Sequence, residues 1–207
     1  MNWLLDWLLD NWRWLLVGAA ALLALAWITS RRRRGGPRQP KETQADIDAR
    51  DPLRRWCQAA VRLVSRDCDY GHLPRGEARR MLQRWWHVHG ARELHDALRD
   101  LGSSPNPDNA WELLRFVIVA RLGAAAEMVD DDDSWSMIEP IAMRLQDAYD
   151  DWSAMAQAYV RARRQWQELA LDGSEDDDTM LWITENLQSL RASTWTEVRW
   201  DLDLEDE

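Results

Sequence analysis

From Asp51 onward the apolar residues of this chain return every three or four positions, and no window alternates in the two-residue rhythm of a strand. That spacing lines apolar side chains along one stripe of a helix, and such stripes are buried by packing helix against helix. The first stripe is Leu53, Trp56, Cys57, Ala60, Val61 and Val64, opened by Asp51 as N-cap with Pro52 at the first helical position. Ala78, Met81, Leu82, Trp85 and Trp86 form a second, closed by Gly90, and Leu94, Leu98 and Leu101 a third, ending at Gly102. Asn109 caps a fourth, with Trp111, Leu114, Ile118, Leu122 and Ala125. The acidic run Asp130–Asp133 suits the N-terminus of the next helix, where carboxylates meet the positive end of the dipole. That helix carries Trp135, Ile138, Ala142, Leu145 and Tyr149, and Pro140 within it predicts a kink or a late start. A helix from Asp151 to Leu171 and a last one through Leu181, Thr184, Leu187 and Leu190 complete an all-α, multi-helix globular domain over residues 51–207.

Ahead of this domain, Trp14–Ile28 (WLLVGAAALLALAWI) holds fifteen residues without a charge. At ~1.5 Å per residue that is ~22 Å, and extending it to Leu8 and Ser30 reaches the span of a bilayer core. Residues 1–30 therefore read as a single transmembrane anchor, with Trp14, Leu15, Leu16, Leu22, Leu23, Trp27 and Ile28 in or bordering the lipid and an amphipathic flank before them. A cleaved signal peptide fits worse, lacking a basic start and a small-residue cleavage site. Arg31–Arg34 follow at once, so the positive-inside rule expects a bacterial inner-membrane protein with its N-terminus outside and its helical domain cytoplasmic. Residues 31–50 read as a basic, flexible linker broken by Pro37 and Pro40.

Charge divides the chain. The first 40 residues carry a net +4 against −10 for the whole, which leaves −14 on the remainder. Such a domain repels phosphate polymers, which argues against nucleic acid and for a protein partner with a basic surface. A helix running from Pro52 through both cysteines would hold Cys57 and Cys68 ~16 Å apart, too far for a disulfide. The segment HVHGARELH offers His87, His89, Glu93 and His95 without a zinc-binding spacing, and the acidic runs lack the pattern of a calcium loop. No nucleophile elbow, phosphate loop or dinucleotide fingerprint is present, so no catalytic residue, metal or cofactor is expected.

Three arginines fall beside apolar stripes. Arg115 follows Trp111 by four; Arg121 follows Ile118 by three; Arg163 follows Tyr159 by four and precedes Trp166 by three. A guanidinium at the edge of a core needs an anion, because an unpaired charge there is costly. Two readings stay open: a pocket for an anionic ligand, or structural ion pairs (with Glu112, Glu127 or Asp147) and arginine stems lying over tryptophan faces.

Ordered tryptophans and arginines also carry a family resemblance. The segments RMLQRWWHVHGARELHDALRDL, AWELLRFVIVARLGAAAEMVDDDDSW, DAYDDWSAMAQAYVRARRQW and STWTEVRWDLDL, between Met81 and Leu204, resemble the bacterial domain of unknown function 1266 family. Trp111, Arg115, Arg121, Trp135, Trp152, Arg163, Trp166, Trp195 and Trp200 hold the order and spacing of that pattern. Glu112 departs from an expected Asp, Ala162 from a Gly, and Ser193-Thr194 from a Ser-Pro. The resemblance implies a helical fold, leaves activity open, and points to interaction proteins, some encoded near secreted toxins.

Together these features favour a membrane-anchored binding protein over an enzyme. Its most concrete form is an immunity protein that neutralises a basic toxin, with Asp130, Asp131, Asp132, Asp133, Trp135, Trp195 and Trp200 as contacts. The alternatives are a ligand-binding or enzymatic domain using an arginine-lined anionic pocket, and a scaffold of an envelope complex.

Overall fold

The helix α4, Ala110–Ala125, is apolar on every side, and its neighbours exist to cover it. The sequence AWELLRFVIVARLGAA buries all but Glu112, Arg115, Ala124 and Ala125 of its sixteen residues. A helix hydrophobic all round is a core helix. The five-residue stripe expected from periodicity understated it, because Leu113, Phe116, Val117 and Val119 are buried as well.

The computed structural model describes residues 50–65, 70–103, 106, 108–169 and 177–204, which all lie in one unit spanning 44–207. The expected anchor over 1–30, the linker over 31–50 save its last residue, and Cys68 lie outside the described residues. Among the described residues no helix is long and apolar enough to cross a membrane, and none forms a strand. The all-α class therefore holds for them.

Around α4 pack α1 (Pro52–Val61), the 3-10 turn Tyr70–His72, α2 (Arg75–Trp86), α3 (Ala91–Gly102), α5 (Asp131–Ala148) and α6 (Trp152–Leu169). Helices α7 (Asp177–Ala192) and the short α8 (Thr194–Glu197) follow. The caps at Asp51 and Asn109 are as expected: the Asp51 carboxylate accepts from Arg54 N–H at 2.9 Å, and the Asn109 side chain from Trp111 N–H at 3.1 Å. Asp131, Asp132 and Asp133 occupy the first turn of α5. That helix begins at Asp131 and runs unbroken through Pro140, so the late start expected there is not found. Helix α2 stops at Trp86, four residues short of Gly90. The left-handed position is His87 (φ 55°), where the Val88 N–H closes on Leu82 O at 3.2 Å and Val88 itself is buried. Gly90 instead begins α3, and the Glu93 carboxylate reaches back to the His89 N–H at 2.8 Å.

Gly123 lets α3 and α4 meet closely: a Cβ there would stand 2.5 Å from Leu94 Cδ2, and Leu94 has no exposed surface. Exposed ends of helices are closed by arginines. Arg79 donates to Ala126 O at 3.1 Å beyond α4, and Arg144 to Gly102 O at 3.2 Å at the end of α3. In α7 the inward residues are Ile183, Leu187 and Leu190, whereas Thr184 is exposed. Asn186 caps the end of α1 by donating to Arg62 O at 2.6 Å.

Four tryptophans sew segment 194–204 to the body. Trp152 stacks on Trp195 (centroids 5.5 Å, 7° between planes), and Trp56 and Trp200 close on Trp152 at 5.0 and 4.8 Å. Each of three indole N–H groups finds a main-chain oxygen: Trp56 to Trp200 O at 2.8 Å, Trp152 to Val198 O at 2.9 Å, Trp195 to Ala59 O at 3.0 Å. Gln146 of α5 donates to the carbonyls of Trp200 and Leu202 at 2.6 and 2.9 Å. Apolar burial and satisfied polar atoms thus coincide at each ring. Trp195→Ala should lower stability by about 3–5 kcal/mol. It should also abolish the far-ultraviolet circular dichroism couplet of the stacked indoles; an unchanged couplet would refute the stacked arrangement.

Candidate functional site

Of the three arginines singled out above, two meet and one stands apart. Arg121 on α4 is buried, and its Nη2 donates to Asp131 Oδ1 at 2.7 Å while Nη1 donates to Ser134 Oγ at 3.2 Å. Ser134 Oγ in turn donates to Ala120 O at 3.1 Å. The guanidinium lies 4.1 Å from the centre of the Trp135 ring, and Arg54 of α1 lies 5.1 Å from the same ring. Arg54 pairs with Asp51 at 2.9 Å and with the other oxygen of Asp131 at 3.4 Å. Asp131 thus bridges two arginines that flank one indole, and this is a structural network. Gly71 permits it, since a Cβ there would fall 2.2 Å from Arg121 Nη2.

This geometry removes several expected contacts from the surface. Trp135 and Trp195 are buried and Trp200 is half-buried against the core, so none of the three is an exposed anchor. Asp131 is committed to Arg54 and Arg121, whereas Asp130, Asp132 and Asp133 are exposed. Of the three anions expected, Glu112 acts on Arg115 through its charge, whereas Glu127 pairs with Arg75 at 2.6 Å and Asp147 is exposed. Burial pushes the Cys57 thiol far above its usual range, which leaves it an inert core residue.

Arg115 and Arg163 share a groove of about 570 Å³. Its walls are Trp85 and Trp86 at the end of α2, Trp111 on α4, and Tyr159 and Trp166 on α6, with Tyr70 and Val64 beside them. The spacings Trp111–Arg115 and Tyr159–Arg163–Trp166 put each arginine on the same helix face as its aromatic neighbours, one turn away. The Arg115 guanidinium lies 4.3 Å from the centre of the Trp111 ring and 6.0 Å from that of Trp86. Trp111 also meets Trp166 at 5.1 Å, and Trp85 meets Trp86 edge-on at 5.7 Å.

The electrostatics of the groove are those of a cation-rich recess in an acidic domain. Burial pushes Arg115 below its usual range and the Arg163 charge adds to the effect, against the opposing influence of Glu112 and Tyr159. Burial likewise holds the Tyr159 phenol above its usual range, opposed by the charge and hydrogen bond of Arg163 and a hydrogen bond from Trp111. Among the described residues no carboxylate lines the groove. An anion entering it would relieve the repulsion between two partly desolvated cations. Among the described residues the exposed large apolar side chains are Trp85 (54%), Met143 (39%) and Trp166 (49%), and two of these three stand on the rim of this groove. Sequence reasoning had the arginines and Trp166 but placed Trp85 and Trp86 in the core. The overlooked signal was a Trp-Trp pair at a helix end, too wide for one stripe.

Among the described residues no group of three or more histidines, cysteines or carboxylates is placed to hold a metal ion. The Asp131 bridge has a signed consequence. Asp131→Ala strands buried Arg121 and should cost roughly 2–3 kcal/mol, whereas Arg121→Met leaves Asp131 paired to Arg54 and should cost under about 1.5 kcal/mol. Chemical denaturation of both variants measures this, and the reverse order would show that Asp131 is not the bridge.

No curated protein and no solved structure matches the chain. A family model does match, over 105–200, which includes α4, α5 and α6, both groove arginines and Trp111, Tyr159 and Trp166, but not Trp85 or Trp86. The match begins after the Met81–Leu101 piece of the resemblance and does not include it. Residues 105–200 match the model of the family described as "Protein of unknown function (DUF1266)", in agreement with the family resemblance borne by the tryptophans and arginines.

Proposed function

We propose that the helical domain is a binding module and that its site is the groove holding Arg115 and Arg163, which grips an anionic group. The observation that carries this reading is the gathering of those two half-buried guanidiniums and two half-exposed indoles on one recess, where no carboxylate is found among the described lining residues. The polar groups facing it can all donate. Arginine keeps its proton at any physiological pH, and Tyr159, with its ionisation pushed upward, keeps its own through neutrality. Such groups hold an anion well and accept a proton poorly, which favours binding over catalysis. The apolar run Trp14–Ile28 and Arg31–Arg34 support a tether that keeps the domain at the cytoplasmic face of a membrane.

The direct test is thermal unfolding of the full-length protein in inorganic phosphate or acetate, against chloride at equal ionic strength. Stabilisation should appear with one of the anions, approaching 2.7 kcal/mol at about a hundredfold excess over Kd, and should vanish in the Arg115→Gln/Arg163→Gln double variant. Equal stabilisation of that variant would place the anion elsewhere and sink the reading.

A second reading has its own support. Exposed Asp130 and Asp133 line a separate hollow of about 740 Å³ with Met128 and Met137, and Asp132 stands fully in solvent nearby. Carboxylates beside adaptable methionines suit a basic protein surface, the toxin partner of the immunity model included. A crosslinked pull-down from native membranes should then recover a basic protein that Asp132→Asn/Asp133→Asn loses. Recovery undiminished by that substitution rules the acidic face out.

A further inference from the structure

The groove's aromatic walls say more than that an anion binds; this step rests on the anion-binding reading above. We propose that the natural ligand is a small aromatic anion, a planar ring laid against the Trp85 and Trp166 indoles with a phosphate or carboxylate joined to it and held by Arg115 and Arg163.

Four observations lead there. First, a domain that buries Trp56, Trp111, Trp135, Trp152 and Trp195 leaves Trp85 and Trp166 about half in water, both on one recess. Exposed indole on a groove wall offers a flat π face, and stacking on such a face discriminates for rings by about tenfold per ring.

Second, the two rim indoles are braced. Trp166 meets Trp111 at 5.1 Å and Trp85 meets Trp86 edge-on at 5.7 Å, so each has a ring neighbour while about half of its surface stays in solvent. Rings held in place before binding lose little freedom when a ligand arrives.

Third, the Trp111 ring, 4.3 Å from the Arg115 guanidinium, holds that cation at the wall of the groove. A guanidinium edge matches the paired oxygens of a carboxylate or phosphate. Tyr159 and Arg163 stand beside it as further donors.

Fourth, size and field set an upper limit. About 570 Å³ accommodates one ring system with its acidic group. The −14 borne by residues 41–207 repels an extended polyanion, which disfavours a nucleic acid strand but not a single mononucleotide or aryl acid. Ring and anion are each weakly held alone; joined, each raises the effective concentration of the other.

Isothermal titration of the full-length protein in detergent tests this with five probes: adenosine 5′-monophosphate, indole-3-acetate, adenosine, inorganic phosphate and acetate. At least one aromatic anion should bind about tenfold or more tighter than adenosine, phosphate and acetate. The identity of the tighter one separates a phosphate ligand from a carboxylate ligand. Trp85→Ala/Trp166→Ala, at half-exposed positions that a fold can lose, should bring the aromatic anion down to the affinity of the bare anion while leaving the bare anion unchanged. Arg115→Gln/Arg163→Gln should abolish binding of every anion. If aromatic anions bind no tighter than phosphate or acetate, yet all depend on the two arginines, the aromatic ligand is wrong and the anion site stands. If no probe shows arginine-dependent binding, both fail. A glutamate-rich peptide that binds where the small probes do not would overturn the proposal in favour of a protein segment.

Discussion

Helix α4 must be hidden from water on all sides, and the rest of the domain follows from that demand. Twelve of its sixteen residues are buried, and no single neighbour covers a whole cylinder, so α1, α2, α3, α5 and α6 form a jacket around it. The jacket opens where α4 itself turns polar. Glu112 and Arg115 are the only residues in its first fourteen that escape full burial, and the groove lies over Arg115. The candidate site is therefore a gap in coverage that a charged side chain on the core helix requires. Sealing an arginine in at that point would carry a desolvation cost, which the nearby charge of Glu112 only partly opposes.

Tryptophan serves two unlike purposes in this molecule. The cluster of Trp56, Trp152, Trp195 and Trp200 is structural, and three of its four N–H groups are spent on main-chain oxygens of distant segments. The indoles of Trp85 and Trp166 instead keep half their surface in solvent beside two cations. Arginine divides in the same way. Arg54 and Arg121 clamp Trp135 with Asp131 between them, whereas Arg115 and Arg163 face an opening.

Local features were legible in the sequence because they depend on residues within a turn of each other. The caps at Asp51 and Asn109, the acidic first turn of α5 and the aromatic-to-arginine spacing on α4 and α6 belong to this class. What escaped depends on which element covers which face. A helical stripe shows a direction of burial but not whether the opposite side is also packed, and so α4 read as amphipathic. Trp195 and Trp200 read as surface contacts because their partners, Ala59 and Trp56, stand 136 and 144 residues earlier. Pro140 read as an interruption, yet the packing of Ile138, Ile141 and Ala142 holds the helix across it. The hand of His87 was hidden because a glycine three residues on was the more obvious stop.

The bonds from segment 194–204 to the body also order events during synthesis. At roughly 5–20 residues per second, the indole of Trp56 waits several seconds for the carbonyl of Trp200 that accepts its proton. Until then Trp56, and Trp152 once it is made, lack the cover that Trp195 and Trp200 supply. A ribosome that stops short of residue 195 releases a polypeptide whose helices can form but whose tryptophan cluster cannot close. Exposed indoles on such a product give chaperones and proteases a means of telling it from a finished chain.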